Sequence, residues 1–280
     1  MNYQLIALDM DGTVLNSQKE ISPRTADAIH KAFEQGYEVL FSTGRNVSEV
    51  RDQLAQFPEM RYLICCSGAV VKDLRTGKNL STATVDFDIA NRVSDAVKNM
   101  EVNVTFFIGD DLFLSKKVRG NMEYYNCQCF HNLYESCAVW VDDPYAVMRA
   151  NPKDILKINL FFHDHNEYLH VGEILNELSI NHASGIPDNY EVSPANVSKG
   201  TGLKVLCDHL GISVEQAIAC GDEGNDRDII LTAGLGVAMG NANDAIKEIA
   251  DVVVADCDHD GVAEAIEKYL GKPVLEGKKQ

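Results

Sequence analysis

Short apolar runs and longer amphipathic stretches alternate from the first residues onward. Tyr3-Gln4-Leu5-Ile6-Ala7-Leu8 is bounded and rich in large apolar side chains, the signature of a buried strand. Ser22 suits a helix N-cap and Pro23 its first turn, which predicts a helix to about Gln35 closed by Gly36. Residues 37–42 read as a second strand, 47–56 as a helix and 62–66 as a third strand. The runs 70–72 and 79–81 then flank Arg75-Thr76-Gly77-Lys78 as a hairpin. Such βα alternation is the pattern of a parallel-sheet α/β domain.

The middle of the chain has a different rhythm. Residues 89–100 predict a helix, and two short strands at 104–108 and 112–114 are joined by the turn signal Gly109-Asp110-Asp111. A strand at 155–162 and a helix at 166–178 follow, and many of the aromatic residues fall here. This reads as a separate α+β unit inserted into the first. From about 191 the βα alternation returns. Helices are expected at 199–210, 243–250 and 261–270, and strands at 216–220, 235–239 and 252–254, with a frayed polar tail at 275–280. The expected organisation is a core of residues 1–83 and 190–280 with an inserted unit at 84–189.

Composition narrows the function classes. The chain has 280 residues, is 45% hydrophobic and carries a formal net charge of −17. An acidic surface argues against nucleic acid or anionic membrane as a partner, because phosphate backbones need a basic footprint. It leaves room for a small phosphorylated ligand held by one lysine, backbone N–H groups and a divalent cation. The absence of a transmembrane-length apolar run and of a signal-peptide pattern at the N-terminus predicts a soluble, cytoplasmic protein. The eight cysteines read as small apolar residues of a reducing compartment. Cys127, Cys129 and His131 could offer soft metal ligands, but their spacing is not that of a zinc knuckle, and an ordinary strand with alternating faces explains it more simply. His163, His165, His170, Tyr124, Tyr125 and Trp140 are expected to be packing or surface residues.

Four polar segments stand where apolar strands end or helices begin: Asp9-Met10-Asp11-Gly12-Thr13, Ser42-Thr43-Gly44-Arg45, Ser198-Lys199-Gly200 and Gly221-Asp222-Glu223-Gly224-Asn225-Asp226. If the strands are parallel neighbours, all four meet at one sheet edge, where open α/β sheets bind ligands. Each segment also has a plain reading: Asp-Gly is a common turn dipeptide, and 222–226 could be a charged turn capping a helix. Together they supply complementary chemistry. Asp9 is a candidate nucleophile, and Asp9 with Asp222 offers two carboxylates for Mg²⁺. Thr43 offers a hydroxyl, Gly44 a close backbone approach and Lys199 a positive charge to a phosphate oxygen. Asp11 can serve as general acid and then general base.

These segments, in this order, resemble the four motifs of haloacid dehalogenase superfamily phosphatases of the Cof-like type, whose large cap is inserted between the second and third motifs. The resemblance spans the chain, with residues 2–80 and 191–270 similar to the superfamily's Rossmann-like core. It implies a phosphomonoester hydrolase acting through an aspartyl-phosphate on Asp9, with Asp11 carrying the proton. It implies Mg²⁺ held by the Asp9 carboxylate, the Asp11 backbone carbonyl and Asp222. Thr43, Gly44, Lys199, Asn225 and the backbone near Met10 would hold the phosphoryl group, and the inserted cap would select the substrate. Asp226 would stand beside the metal residues, and Arg45 is left without a role. Sugar phosphates, nucleotides and cofactor phosphates all remain open. A phosphomutase would use the same phospho-aspartate. A non-catalytic nucleotide-binding module is disfavoured, because Gly-x-Gly-x-x-Gly does not follow the first strand and a Walker loop is absent.

Overall fold

The structure is a computed structural model that describes residues 1–275. Residues 276–280 of the expected tail lie outside the described residues. Among the described residues, fourteen strands run in chain order: β1 Leu5–Leu8, β2 Glu38–Ser42, β3 Tyr62–Cys65, β4 Val70–Asp73, β5 Lys78–Thr82, β6 Val102–Ile108, β7 Asp111–Ser115, β8 Val139–Val141, β9 Ile155–Phe162, β10 Ile180–Ala183, β11 Asn189–Pro194, β12 Ala217–Gly221, β13 Leu235–Ala238 and β14 Val252–Val253. The helices are α1 Pro23–Glu34, α2 Arg51–Leu54, α3 Phe87–Val97, α4 His131–Cys137, α5 Pro144–Ala150, α6 His165–Asn176, α7 Lys199–Leu210, α8 Arg227–Thr232, α9 Asp244–Ile249 and α10 Gly261–Tyr269.

The chain forms two compact units: residues 1–44, 53–82 and 198–275 in the first, 45–52 and 83–197 in the second. The first unit holds an eight-stranded sheet in the order β14-β13-β12-β1-β2-β3-β4-β5. The strands from β14 to β3 are parallel, while β4 and β5 add an antiparallel edge. After β1 the chain winds outward through β2 and β3. After α7 it returns to the other side of β1 and winds outward again through β13 and β14. The switch point therefore lies between β1 and β12, and ligand crevices of open α/β sheets form there. Every residue of β1 is fully buried, as expected of a central parallel strand covered on both faces. Helix α1 buries Thr25, Ala28, Ile29 and Ala32, a 3.6-period stripe that includes one large aliphatic side chain contributing roughly 1.5–3 kcal/mol. Ser22 caps it, and Gly36 follows at φ +82°.

The second unit holds a six-stranded sheet in the order β10-β11-β9-β6-β7-β8. One face carries Val104, Phe106, Ile158, Leu160 and Val192, packed with Val93, Val97, Val171 and Leu175 of α3 and α6. The alternate residues of the same strands are polar yet buried: Asn103, Thr105, Lys157 and Asn159. Lys157 Nζ sits 3.3 Å from Glu191 Oε2 and 4.4 Å from the Phe107 ring centroid, so its charge is matched twice.

Four sequence expectations need correction. The return to the first unit comes at Ser198 rather than 190, because Asn189–Pro194 pairs with β9 and β10 in the second sheet. Residues 45–52, assigned to the core, instead join the second unit. Asn46 donates to the carbonyls of Gly109 and Asp111 at 3.2 and 3.1 Å, and Ser48 N donates to Asp110 O at 3.2 Å. The helix expected over 47–56 is cut to a 3₁₀ turn at Val47–Val50 and the four residues of α2. Finally, residues 127–131 are not a strand. Asn126 turns left-handed at φ +56°, and Gln128–Phe130 is a 3₁₀ turn that feeds α4. Cys127 is buried while Cys129 is exposed, and the two belong to no metal-competent cluster among the described residues. Among the aromatic residues, Tyr124 stacks on His163 at 3.8 Å between centroids, and Arg119 lies over Trp140.

Candidate active site

The ends of β1, β2 and β12 and the start of α7 bring the four polar segments, apart from Arg45, together within the first unit. Asp9 leaves β1 nearly buried, 6% exposed, and its N–H donates to Cys220 O of the neighbouring β12. Asp222 leaves β12 equally buried. Lys199 is the first residue of α7, where Ser198 caps the helix by accepting from Thr201 N. Its ammonium is wholly buried and lies 2.5 Å from Asp9 Oδ1 and 2.6 Å from Asp226 Oδ1. The fully buried Asp226 uses its other oxygen to accept from the backbone N–H groups of Asp222 and Glu223 at 3.0 and 3.1 Å. It thus fixes both the lysine and the loop that carries Asp222.

The chain leaving β1 makes a tight turn in which Gly12 adopts φ +75°. A Cβ at this position would stand 2.3 Å from Asp222 Oδ2, so the glycine lets this turn and the Asp222 carboxylate share one space. Thr13 Oγ1 donates to Asp222 Oδ1 at 2.9 Å, and Asn241 Nδ2 donates to Asp222 Oδ2 at 3.2 Å and to Gly12 O at 2.8 Å. Asp11 is less enclosed, and Lys19 Nζ lies 2.9 Å from its Oδ1. Thr43 is buried after β2. Its N–H donates to Ile64 O and its carbonyl accepts from Ser67 N, which ties this loop to the end of β3. Gly44 follows, and Asn225 Nδ2 lies 3.8 Å from where a Gly44 Cβ would be.

The charges are strongly coupled. Burial, together with the carboxylate of Asp226, raises the Asp9 acid well above its ordinary range in spite of Lys199. Burial likewise pushes Asp222 up to about 6, against the opposing hydrogen bond from Thr13. Burial works against the Lys199 charge, but Asp226 and Asp9 outweigh it and its pKa is raised. Oxygens of Asp9, Asp222 and Asp226 lie within 4.8 Å of one another. Three carboxylates around one point, with a single lysine among them, favour a hard divalent cation.

The structure brings together the segments that carry Asp9, Met10, Asp11, Thr43, Gly44, Lys199, Asp222 and Asn225, the residues singled out from the sequence. The sequence reading missed Thr13 and Asn241, which hold the Asp222 carboxylate, and the fixing role of Asp226. Asn241 had one available signal: it follows the strand at 235–238 much as the four recognised segments follow theirs.

A family model of haloacid dehalogenase-like hydrolases matches residues 6–266. The chain belongs to this family. Two relatives from Bacillus subtilis strain 168 are each 30% identical to it. Phosphatase YwpJ aligns over 95% of this chain and 100% of its own. The phosphatase YcsE, named for 5-amino-6-(5-phospho-D-ribitylamino)uracil, aligns over 96% and 97%. Among solved structures, a haloacid dehalogenase-like hydrolase from Bacteroides thetaiotaomicron superposes with a TM-score of 0.85 at 26% identity, covering 95% of this chain and 99% of that one. The hydrolase is a phosphatase, built as the family is, on an α/β core with a parallel sheet. No helix among the described residues is long and apolar enough to cross a membrane.

Proposed function

We propose that this hydrolase is a Mg²⁺-dependent phosphomonoesterase that acts on small phosphorylated metabolites through an aspartyl-phosphate. The observation that carries the proposal is the buried Asp9 carboxylate at the end of the central strand, with Lys199 Nζ 2.5 Å from one oxygen and Asp222 beside it. Asp9 attacks phosphorus while Asp11 gives a proton to the leaving alcohol oxygen, and the P–O ester bond breaks. Asp11 then takes a proton from water as the water oxygen attacks phosphorus, which releases inorganic phosphate and restores Asp9. Thr43, Gly44, Asn225 and the backbone at Met10 hold phosphoryl oxygens, and Lys199 neutralises charge on both nucleophile and phosphate.

The donor set fits Mg²⁺, since hard oxygens of Asp9, Asp222 and the Asp11 carbonyl would hold it. Bound there, the cation would shield the carboxylate from the phosphate and stabilise charge on the equatorial oxygens. Asp226 is a poorer ligand than its neighbours, because its oxygens already accept from Lys199 and from two backbone N–H groups. Small metabolites fit as substrates because the similar YcsE is named for one. Residues of the inserted unit would select among such metabolites.

The test is inorganic phosphate release from a panel of phosphorylated metabolites, with Mg²⁺ and with EDTA. Release that requires Mg²⁺ and disappears in Asp9→Asn is the expected result. Isomer formation without phosphate release would indicate a mutase. Full activity of Asp9→Asn would remove Asp9 as nucleophile.

A further inference from the structure

We propose that Ser67 is an additional residue of the phosphoryl site, whose hydroxyl donates a hydrogen bond to a non-bridging oxygen of the phosphoryl group; this rests on the phosphatase reading above. Three observations converge on it.

The first is conformational. At the end of β3, Cys66 and Ser67 both adopt left-handed backbone angles, φ +48° and +54°, and Gly68 follows at φ +95°. Outside glycine such angles cost energy and need a reason, and the cost here falls on two consecutive residues. Packing accounts for part of it. A Cβ at Gly68 would stand 2.0 Å from Ser198 O, so this turn lies directly against the backbone that starts α7 and carries Lys199. That close approach explains a glycine at 68 but not a serine at 67, where glycine or asparagine would adopt the angle at lower cost.

The second observation is position. Ser67 N donates to Thr43 O at 3.0 Å, which fixes Ser67 to the segment proposed to cradle phosphate. Ser67 Oγ lies 3.3 Å from the point where a Gly44 Cβ would stand, and Asn225 Nδ2 lies 3.8 Å from that same point. The hydroxyl and the amide therefore flank the open side of Gly44. A side chain at 44 would fill the space they share.

The third observation is availability. Ser67 is half-buried, and its hydroxyl forms no hydrogen bond with any described residue. A hydroxyl has one donor and two acceptor positions to satisfy. A phosphoryl oxygen lying against Gly44 would meet the hydroxyl and the Asn225 amide together.

The test compares Ser67→Gly, Ser67→Ala and Asp9→Asn with the parent chain. It measures kcat/KM on p-nitrophenyl phosphate, affinity for inorganic phosphate by calorimetry in Mg²⁺, and the thermal midpoint. Ser67→Gly relieves the left-handed strain, so its thermal midpoint should rise. Loss of one hydrogen bond to a charged group should still lower kcat/KM and phosphate affinity by about tenfold or more in both serine variants. Unchanged catalysis and phosphate affinity in both serine variants would overturn the proposal. A Ser67→Gly variant that lost stability and activity together would also overturn it, by assigning the residue to the fold alone. Asp9→Asn separates the two ideas: an inactive Asp9→Asn beside a fully active Ser67→Gly removes only the role of Ser67, whereas an active Asp9→Asn removes the phosphatase mechanism itself.

Discussion

Lys199 Nζ lies 2.5 Å from Asp9 Oδ1, a contact between residues 190 positions apart and buried at both ends. Charges of this kind are tolerable only together. Replacing Lys199 with Met would leave Asp9 and Asp226 buried without their cation. The expected cost is about 3–5 kcal/mol in the metal-free protein, with loss of phosphatase activity. Urea unfolding of the full chain measures the first effect and phosphate release the second. An equally stable Lys199→Met would show that the acids shed their charge by protonation instead.

Stability of the metal-free protein should fall as pH rises from about 4 to 6. Asp222 has its folded pKa raised from 3.8 to about 6, so the folded state holds its proton more tightly than the unfolded chain does. Ionisation of Asp222 above the unfolded value therefore opposes folding, and its share of the penalty is complete above about pH 6, reaching at most about 3 kcal/mol. Thermal melts in EDTA across this range should show the decline, and Asp222→Asn should make it shallower without abolishing it, because Asp9, whose acid is raised further, also ionises at a cost here. Mg²⁺ should offset the decline in the parent chain and should raise the thermal midpoint of the parent more than that of Asp222→Asn.

Gly12→Ala should uncouple the first turn from Asp222. The new methyl would need both a left-handed backbone, costing roughly 1–3 kcal/mol, and the space now filled by a carboxylate oxygen. A lower thermal midpoint and a higher Mg²⁺ concentration for half-maximal activity are expected. A change in midpoint with no change in Mg²⁺ dependence would place Asp222 outside the metal site.

In the second unit, Lys157→Met should be destabilising by several kcal/mol while leaving the first unit's residues intact. Lys157 is nearly buried and pairs with Glu191, and its charge also opposes the upward push that burial exerts on Glu49. Without it those acids lose their nearest counter-charge. Lys157→Met combined with Glu191→Leu should recover much of the loss, since an apolar pair of similar volume avoids buried charge altogether. Denaturant unfolding of the single and double variants gives the coupling.

Much of the first unit was legible because its strands are continuous apolar runs with polar residues at one end. Lys199–Leu210 matches the expected helix end to end, because Ser198 and Gly211 mark its limits. Asp9, Thr43, Lys199 and Asp222 were visible for the same reason: a charge or hydroxyl directly after a buried strand or at a helix start contrasts with its surroundings. Thr13 and Asn241 stand a few residues past the ends of β1 and β13 rather than directly after them, and their importance lies in hydrogen bonds across more than 200 and about 20 positions. Helices α4 and α5 and strand β8 fall in a segment whose apolar residues follow neither period over any length. Strand β11 hid behind its polar members, Asn189, Glu191 and Ser193, which occupy the polar face of their sheet. The left-handed turn at 66–67 leaves no mark in composition at all.

The boundary between Gly44 and Arg45 has a consequence for how such proteins are rebuilt. Because residues 45–52 belong with the second unit, the polypeptide passes between the two units four times rather than twice. Excising residues 84–189 would strip Asn46 and Ser48 of the Gly109, Asp110 and Asp111 carbonyls they bind, and would orphan Val50 from its enclosure. A fragment that keeps only the first unit, or a chimera that exchanges the second, must therefore take two pieces of chain together: the long insertion and the eight-residue outpost upstream of it.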